Sequence, residues 1–248
     1  LAQRVTIEIC KKQIRGVITC ESLHEGMNLP NTKFPSIRDM YVDAGLSKNE
    51  LKHAGVSVGT YMTLDRHFVH LGSEDVISGK AFDDRIGCAI LVELSRRLKG
   101  CDTDIYFIFT VQEEIGLYGM RPTLEKIDPV WGVVIDCFES ADYDRRDVGM
   151  GKGPIILIKD SSLVANRCLV DAMIDVAEKK KIPYQTLVSD FGTTDAFGMS
   201  LVKGIPTAVL AIPLRNIHST ISTAHLKDIK NSVDILEGLV KNPPTKCV

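Results

Sequence analysis

The chain has 248 residues, enough for one large domain or two unequal ones with a sizeable hydrophobic core. Hydrophobic residues make up 44% and charged residues 25% of the sequence, and the formal net charge is -2. This balance favours neither a nucleic-acid-binding surface nor a disordered acidic tail. No apolar run approaches the roughly 18 residues that a membrane span requires, and the first residues lack a signal-peptide pattern.

The seven cysteines form an odd set without a close C-x-x-C pair. This pattern is typical of a reduced, intracellular protein. We therefore expect a soluble cytoplasmic protein with neither a nucleic-acid nor a membrane partner. Because the chain starts at Leu1 and enters a strand-like run within three residues, we also expect that a segment upstream is missing.

Residues 1–76 are predicted to form a small β-rich domain. A short helix is expected to begin at Ser47 in SKNELKHAG, and a loop is expected at LHEGMNLPNTKFP. The predicted β segments are RVTIEIC, IRGVITC, VGTYMTL and HFVHL.

Residues 77–248 are predicted to form an α/β layered domain. Continuous apolar strands alternate with amphipathic helices, which indicates a mainly parallel central sheet that is buried on both faces. The predicted strands are DIYFIFTVQ, WGVVID, GPIILIK, PYQTLVS and PTAVLAI, and the predicted helices span about 84–99, 166–181 and 226–241.

Acidic residues and one histidine flank the apolar runs of this second domain. Glu113 and Glu114 follow IYFIFTV, Asp136 follows WGVVI, His218 comes after PTAVLAI, and Asp83 precedes the first long helix. Ligands of open α/β sheets bind beyond the carboxyl ends of the strands, so we expect these side chains to converge on one rim. Carboxylate oxygens and an imidazole nitrogen together suit zinc, cobalt or manganese.

Two metal ions are chemically reasonable at this rim, because one carboxylate can bridge two cations. One member of the Asp83–Asp84 pair would then be the bridge, and its neighbour could cap the helix that follows. Each feature alone also has a structural explanation: aspartates cap helices, paired glutamates start exposed helices, and a histidine after a strand is often exposed. Their shared location at the strand ends is what favours a metal site.

Other short motifs in the sequence do not indicate a function, because the residues that would accompany them are missing or unsuitable. Asp190 begins a DFG tripeptide, but the chain lacks the H-R-D loop and the Gly-rich loop of a kinase. His67 and His70 fall in the predicted β-rich domain, where their spacing suits a solvent-facing strand end. Neither a G-x-S-x-G elbow nor a P-loop is present.

The motif series GKAFDDRIG, TVQEEIGLYG, VIDCFESAD, FGTTDAFG and RNIHS resembles that of the M42 family of di-metal aminopeptidases, across essentially the whole chain. The resemblance implies a zinc-exopeptidase-like catalytic domain interrupted by a small β-barrel domain used in oligomerisation. Residues 1–76 would be most of that barrel, and residues 77–248 the catalytic domain. It also implies peptide substrates and a homo-oligomer, for which a dodecamer is one candidate size.

The resemblance further implies roles for five residues. Asp83 would bridge two divalent metal ions, with zinc or cobalt favoured and manganese as an alternative. Glu114 and His218 would complete the coordination of one ion, and Asp136 would bind the other. Glu113 would be the general base, because a carboxylate next to a metal ligand can take a proton from water and pass it to the leaving amine.

The chain departs from the family pattern at its start and near the ligands. The family has a further histidine ligand in an H-x-D motif upstream of the barrel, so a complete chain of 248 residues would be expected to have impaired or no activity. Cys137 and Phe138 stand where the family favours Val-Thr. A non-catalytic relative is therefore one alternative, and a glucan hydrolase is another, since paired carboxylates also cleave glycosides. The sequence leaves open which N-terminal residue is preferred.

Overall fold

The computed structural model describes residues 1–9, 12–20, 35–140, 148–245 and 247. These residues divide into two compact units, Leu1–His67 and Phe68–Val248. Apart from Pro35, the predicted loop LHEGMNLPNTKFP lies outside the described residues.

The first unit contains a four-stranded sheet in the order β3-β2-β1-β4. Its strands are β1 (Arg4–Ile9), β2 (Lys12–Cys20), β3 (Met40–Asp43) and β4 (Met62–Leu64). All three pairings are antiparallel. A barrel requires the two edge strands to pair with each other. No such pairing joins β3 to β4 among the described residues, so the sheet is open and the predicted barrel is not confirmed.

A short helix, α1 (Lys48–Ala54), follows a 3-10 turn at Ile37–Asp39 and strand β3. The Ser47 hydroxyl accepts a hydrogen bond from the Glu50 backbone N–H, and the Glu50 carboxylate accepts one from the Ser47 N–H. This reciprocal capping satisfies two backbone donors that the first helical turn leaves free. Gly55 ends the helix with φ 96°. The predicted helix start at Ser47 is confirmed.

The second unit is an α/β structure with two sheets. Its strands are β5 (Val69–His70), β6 (Val76–Gly79), β7 (Gly132–Glu139), β8 (Ile155–Lys159), β9 (Gln185–Val188), β10 (Thr207–Leu214) and β11 (Ser222–His225). Its helices are α2 (Phe82–Arg97), α3 (Met120–Leu124), α4 (Arg167–Lys180), α5 (Asp195–Lys203) and α6 (Leu226–Lys241). The main sheet has the order β7-β10-β8-β9, and the smaller one β11-β6-β5.

Strand β10 is the centre of the second unit, and all eight of its residues are buried. Side chains alternate between the two faces of a strand. Leu210 and Ile212 pack in a core with α2, α4 and α6 on one face. Val209 and Ala211 pack in a second core with α3 and α5 on the other. The main sheet therefore lies between two helical layers, as its continuous apolar strands predicted.

The pairing directions differ in part from the expected mainly parallel sheet. Strand β10 pairs parallel with β7, and β8 pairs parallel with β9, but β10 and β8 are antiparallel. The sheet is therefore mixed, because a continuous apolar run reports burial on both faces and carries no information about direction.

The three long predicted helices and four of the five predicted strands of this unit are confirmed. The run DIYFIFTVQ is wrong as a strand, since residues 104–112 join no sheet among the described residues. Its apolar composition predicted a strand, but a strand also requires a hydrogen-bonded neighbour. Helices α3 and α5 and strands β3, β6 and β11 were not predicted, because each has fewer than ten residues.

Cys168 and Cys247, which are 79 positions apart in sequence, form a disulfide. The expectation that all cysteines are reduced is therefore wrong for this pair. Folding brings helix α4 and the end of the chain together, and the spacing of cysteines in sequence cannot reveal such a contact. Among the described cysteines, Cys88, Cys101 and Cys137 are free. No helix in the described part of the chain is long and apolar enough to cross a membrane.

Candidate metal centre

The two aspartates in the first turn of helix α2, Asp83 and Asp84, have different surroundings. Neither has helical backbone angles, so the regular helix begins after them. The Asp84 Oδ1 atom accepts a hydrogen bond from the Gly87 backbone N–H at 2.9 Å, which is the contact of a helix cap. This leaves the Asp83 carboxyl group free to face the rim, where its side chain is 10% exposed.

Gly87 is required by the position of the Asp84 carboxyl group. A Cβ atom at residue 87 would overlap both Asp84 carboxyl oxygens. Any larger residue would therefore displace the capping side chain, and with it the start of α2.

Glu113 and Glu114 lie in the turn that follows residues 104–110, which have no regular secondary structure. The Glu113 carbonyl accepts hydrogen bonds from the N–H groups of Gly116 and Leu117, which closes the turn. Three residues before Glu113, the Thr110 hydroxyl donates to Asp195 Oδ2 at 2.6 Å. Asp195 is 4% exposed in the first turn of α5, so this contact joins the segment that carries the two glutamates to a buried helix start.

His218 lies in the loop between β10 and β11. The Glu139 carboxylate, at the end of β7, accepts hydrogen bonds from the backbone N–H groups of Asn216 and Ile217, at 3.3 and 2.9 Å. Ser219 and Ser222 both donate from their hydroxyls to the Asn216 carbonyl. These contacts fix the backbone on both sides of His218.

Left-handed backbone conformations concentrate near these loops. Among the described residues, those other than glycine with positive φ include Ala81, Gln112, Leu117, Asn216 and His218. Such conformations cost about 1–3 kcal/mol each and persist where surrounding contacts impose them. Each of these five residues lies beside or within a segment that carries an acidic residue or histidine of the rim.

Asp83, Glu114 and His218 come together in space. One donor atom from each lies within 4.8 Å of the donor atoms of the other two. His218 Nε2 is 3.1 Å from Asp83 Oδ2 and 3.6 Å from Glu114 Oε2. Two carboxylates and one imidazole at these separations form a mixed oxygen and nitrogen donor set suited to a divalent transition metal. The residues present therefore fit a metal ion.

Asp136 and Glu113 lie beside this donor set. Asp136 is inside β7 rather than after it, and its Oδ1 atom accepts a hydrogen bond from the Cys137 backbone N–H at 2.7 Å. Asp136, Glu113 and the three donors line one cavity of about 420 Å³. All five residues singled out from the sequence therefore surround the same space.

Burial and mutual repulsion disfavour the charged forms of these carboxyl groups. Burial, followed by the charge of Glu114, raises the pKa of Asp83 to about 6. Burial, followed by the charges of Asp195 and Glu114, raises the pKa of Glu113 to about 7. Burial also raises the pKa of Asp84 to about 7 and that of Asp136 well above its ordinary value. A cation bound among them would offset this cost.

Two residues of this region were not anticipated as parts of the site. The Cys137 thiol lies 3.4 Å from Asp84 Oδ1, and one donor atom from each of Asp83, Asp84 and Cys137 lies within 4.8 Å of the others. Asp195 raises the pKa of Glu113 through its charge. Cys137 directly follows Asp136 and Asp195 stands in the FGTTDAFG motif, but neither position in sequence reveals these contacts.

Comparison with known proteins gives one consistent family. The family model of the M42 glutamyl aminopeptidases matches residues 1–235. A putative aminopeptidase of Acetivibrio thermocellus is 33% identical over 241 residues, which cover 95% of this chain and 70% of the relative.

Solved structures agree with this match. A TET aminopeptidase from a marine sediment archaeon of the Thaumarchaeota superposes with a TM-score of 0.92 at 33% identity, covering 100% of this chain and 72% of that one. The TET1 peptidase of Pyrococcus horikoshii, which can assemble into a tetrahedron or a large octahedral shell, superposes with a TM-score of 0.87 at 29% identity. That match covers 97% of this chain and 72% of the peptidase.

Proposed function

Since the chain belongs to the M42 glutamyl aminopeptidase family and is a metal-dependent aminopeptidase, we propose that Asp83, Glu114 and His218 hold a catalytic metal ion. The observation that carries this proposal is that donor atoms of these three side chains lie within 4.8 Å of one another. Asp83 would bridge to a second ion held with Asp136, which lines the same cavity. Zinc or cobalt would suit both positions, with manganese as an alternative.

Divalent ions held in this way supply Lewis acidity toward a peptide carbonyl and toward water. The protein contributes position and proton transfer. Asp83, Glu114 and His218 place their donor atoms within 4.8 Å of one another. Glu113 is the general base that takes a proton from the attacking water and delivers it to the leaving amine. Burial and the charges of Asp195 and Glu114 raise the pKa of Glu113, which favours its uptake of a proton.

The substrates of this proposal are peptides, which lose their N-terminal residue. Relatives named aminopeptidases support this reading. Among the described residues, no contact in the site favours a glucan hydrolase or a non-catalytic relative. A cavity of about 420 Å³ is within the size range of small-ligand sites.

The roles of the two parts of the chain also belong to the proposal. Residues 77–248 would be the catalytic domain, and residues 1–76 would serve self-association into a homo-oligomer. The shells formed by the Pyrococcus horikoshii peptidase support assembly. A cytoplasmic location is proposed from the absence of a close C-x-x-C pair, and the disulfide between Cys168 and Cys247 counts against it.

The test is the metal content per chain, combined with turnover. Protein equilibrated with zinc or cobalt and then gel-filtered would be measured by elemental mass spectrometry, and release of N-terminal residues from short peptides would be followed in parallel. We expect bound metal and release that stops on chelation and returns on metal addition. Protein without bound metal would contradict the centre, and release that is insensitive to chelation would contradict its role.

A further inference from the structure

The segment that carries Glu113 and Glu114 reaches the metal centre without the support of a sheet. Residues 104–112 join no sheet among the described residues, so no ladder of backbone hydrogen bonds sets their position. Phe107 and Ile108 pack against the two cores of the second unit, but apolar contacts are non-directional. The position of the two glutamates therefore depends on other, directional contacts.

The residues that follow Thr110 form one closed turn. The Gln112 carbonyl accepts a hydrogen bond from the Tyr118 N–H at 3.3 Å. Gly119 lies so close to Val111 that a Cβ atom on the glycine would be 2.4 Å from the Val111 carbonyl oxygen. Residues 111–119 are therefore linked into one piece, and a contact at the start of this piece helps to place both glutamates.

Thr110 attaches the start of the turn to helix α5. Its hydroxyl donates to Asp195 Oδ2 at 2.6 Å, a distance typical of a hydrogen bond to a charged acceptor. Asp195 is 4% exposed, and Ala196 and Met199 of the same helix are buried in the second core. Thr194, directly before Asp195, lines the same cavity as the two glutamates. A buried helix start beside the cavity therefore holds the acceptor.

Helix capping does not account for a buried aspartate at this position. The Thr194 hydroxyl accepts a hydrogen bond from the Ala196 N–H at 3.2 Å, so α5 already has its cap. An acidic residue in the first turn also interacts favourably with the helix dipole, but an exposed side chain would be sufficient for that. Asp195 Oδ1 is buried and has no hydrogen-bond partner among the described residues, which lowers stability. The contact with Thr110 offers a reason for this cost.

We propose that Asp195 is a positioning residue for the aminopeptidase reaction: through Thr110, it holds the turn that carries both glutamates at the metal centre. This inference rests on the proposed function above, because it uses the roles given there to the two glutamates. A loosened turn would displace the proposed general base and one proposed metal ligand together. A displacement of about 1 Å at a catalytic group can lower a rate about 100-fold.

Thr110→Val tests this inference, because it removes the hydroxyl, keeps a similar shape and leaves the Asp195 charge in place. Turnover of an aminoacyl anilide by the zinc-loaded protein should show a kcat about 10- to 100-fold lower, with a smaller change in KM. Calorimetric titration should show a zinc affinity lower by roughly 10- to 100-fold, as for residues that orient metal ligands. Thr110→Ser restores the donor and should recover most of both losses. An unchanged kcat and zinc affinity in Thr110→Val would overturn the inference.

Thr207→Val is the matched control for a merely structural effect. The Thr207 hydroxyl donates to the Ile205 carbonyl at 2.8 Å, and Thr207 is 2% exposed and does not line the cavity. This variant should lower the melting temperature, because a buried acceptor loses its partner, without changing kcat or the zinc affinity. If both variants lost kcat in proportion to their melting temperatures, Thr110 would have only a structural role and the inference would be overturned.

Hydrogen exchange followed by mass spectrometry tests the attachment without metal or turnover. Peptides that cover residues 104–119 should exchange faster in metal-free Thr110→Val than in the unmodified protein, whereas Thr207→Val should not show this local change. Asp195→Ala should have the same effect, and the double variant with Thr110→Val should add little, because both substitutions break one bond.

The exchange data also separate this inference from the proposed function. Equal exchange of residues 104–119 in Thr110→Val and the unmodified protein, or additive effects in the double variant, would overturn the inference. Faster local exchange in Thr110→Val, together with an unmodified protein that neither binds zinc nor cleaves peptides, would contradict the proposed function and leave the positioning by Asp195 supported.

Discussion

His218 Nε2 lies 3.1 Å from Asp83 Oδ2, and the two side chains differ sharply in exposure. The Asp83 side chain is 10% exposed and the His218 side chain is 70% exposed. One partner is therefore part of the folded interior, while the other reaches it from the surface. Substitutions at the two positions should consequently have different effects on folding.

His218→Ala should weaken metal binding without an appreciable loss of stability. Removing a residue that hydrogen-bonds to a metal ligand lowers the affinity for the metal roughly 10- to 100-fold. Removing a ligand itself should therefore lower this affinity at least as much. Surface substitutions usually change stability by less than about 0.5 kcal/mol. Calorimetric titration with zinc and thermal unfolding of the metal-free protein would measure the two effects. His53→Ala, at an exposed histidine of the first unit, is the control that should change neither.

Glu113→Gln and Glu114→Gln should separate proton transfer from metal binding. If Glu113 is the general base, its amide variant should keep the metal and lose about 10²- to 10⁴-fold in kcat. The Glu114 variant should lose metal as well. Metal content by elemental mass spectrometry and turnover of an aminoacyl anilide would be measured on the same samples. Near-normal turnover of Glu113→Gln would mean that another group is the base.

The metal-free protein should become less stable as the pH rises from about 4 to about 7. The pKa of Asp83 rises from 3.8 to about 6, and that of Asp84 from 3.8 to about 7. The folded protein therefore keeps protons that the unfolded chain has released, so the free energy of unfolding decreases through this window. Melting temperatures of chelator-treated protein between about pH 4 and pH 8 would measure the slope.

Zinc and one variant provide the controls for this pH dependence. Zinc should restore the melting temperature at pH 8, because it binds the charged form of the carboxyl groups. Asp84→Asn keeps an acceptor for the Gly87 N–H but removes one titrating group, so the slope should be smaller. A slope that is equal in the variant would show that the pH dependence arises elsewhere.

Gly87→Ala should destabilise the protein, although alanine favours helices. The propensity gain is at most about 1 kcal/mol. Displacing the Asp84 carboxyl group would remove a helix cap, worth about 1 kcal/mol, and would leave a buried polar group without its partner, at about 1–3 kcal/mol. We expect a net loss of about 1–3 kcal/mol in denaturant unfolding.

Gly198→Ala in α5 is the matched control for this substitution. A Cβ atom there would meet the Met120 side chain at 3.5 Å, which is ordinary van der Waals contact. This variant should be neutral or slightly stabilising. Equal effects of the two substitutions would mean that the Asp84 side chain adapts without cost.

The long elements and the rim of the second unit could be predicted because they depend on local patterns. The apolar spacing of α4 and α6 and the continuous apolar strand β10 identify the layers. Because ligands of such sheets bind beyond the strand ends, the sequence then predicts that His218 lies near Asp83. Neither step needs a contact between distant residues.

The remaining features depend on distant contacts, which a single sequence does not reveal. Whether the first sheet closes depends on which edges pair, and whether residues 104–112 form a strand depends on a neighbour. The hydrogen bond from Thr110 to Asp195, and the lack of a partner for Asp195 Oδ1 among the described residues, follow from packing alone. Composition likewise could not show that Cys168 meets Cys247.

The disulfide between Cys168 and Cys247 closes a loop that contains β9, α5, β10, β11 and α6. A single cut in the backbone inside this loop would leave the two pieces covalently joined. His218 lies inside the loop, whereas Asp83 and Glu114 lie outside it. In the oxidised protein, a nick by a protease within the loop therefore cannot release the histidine from the molecule that carries its acidic partners.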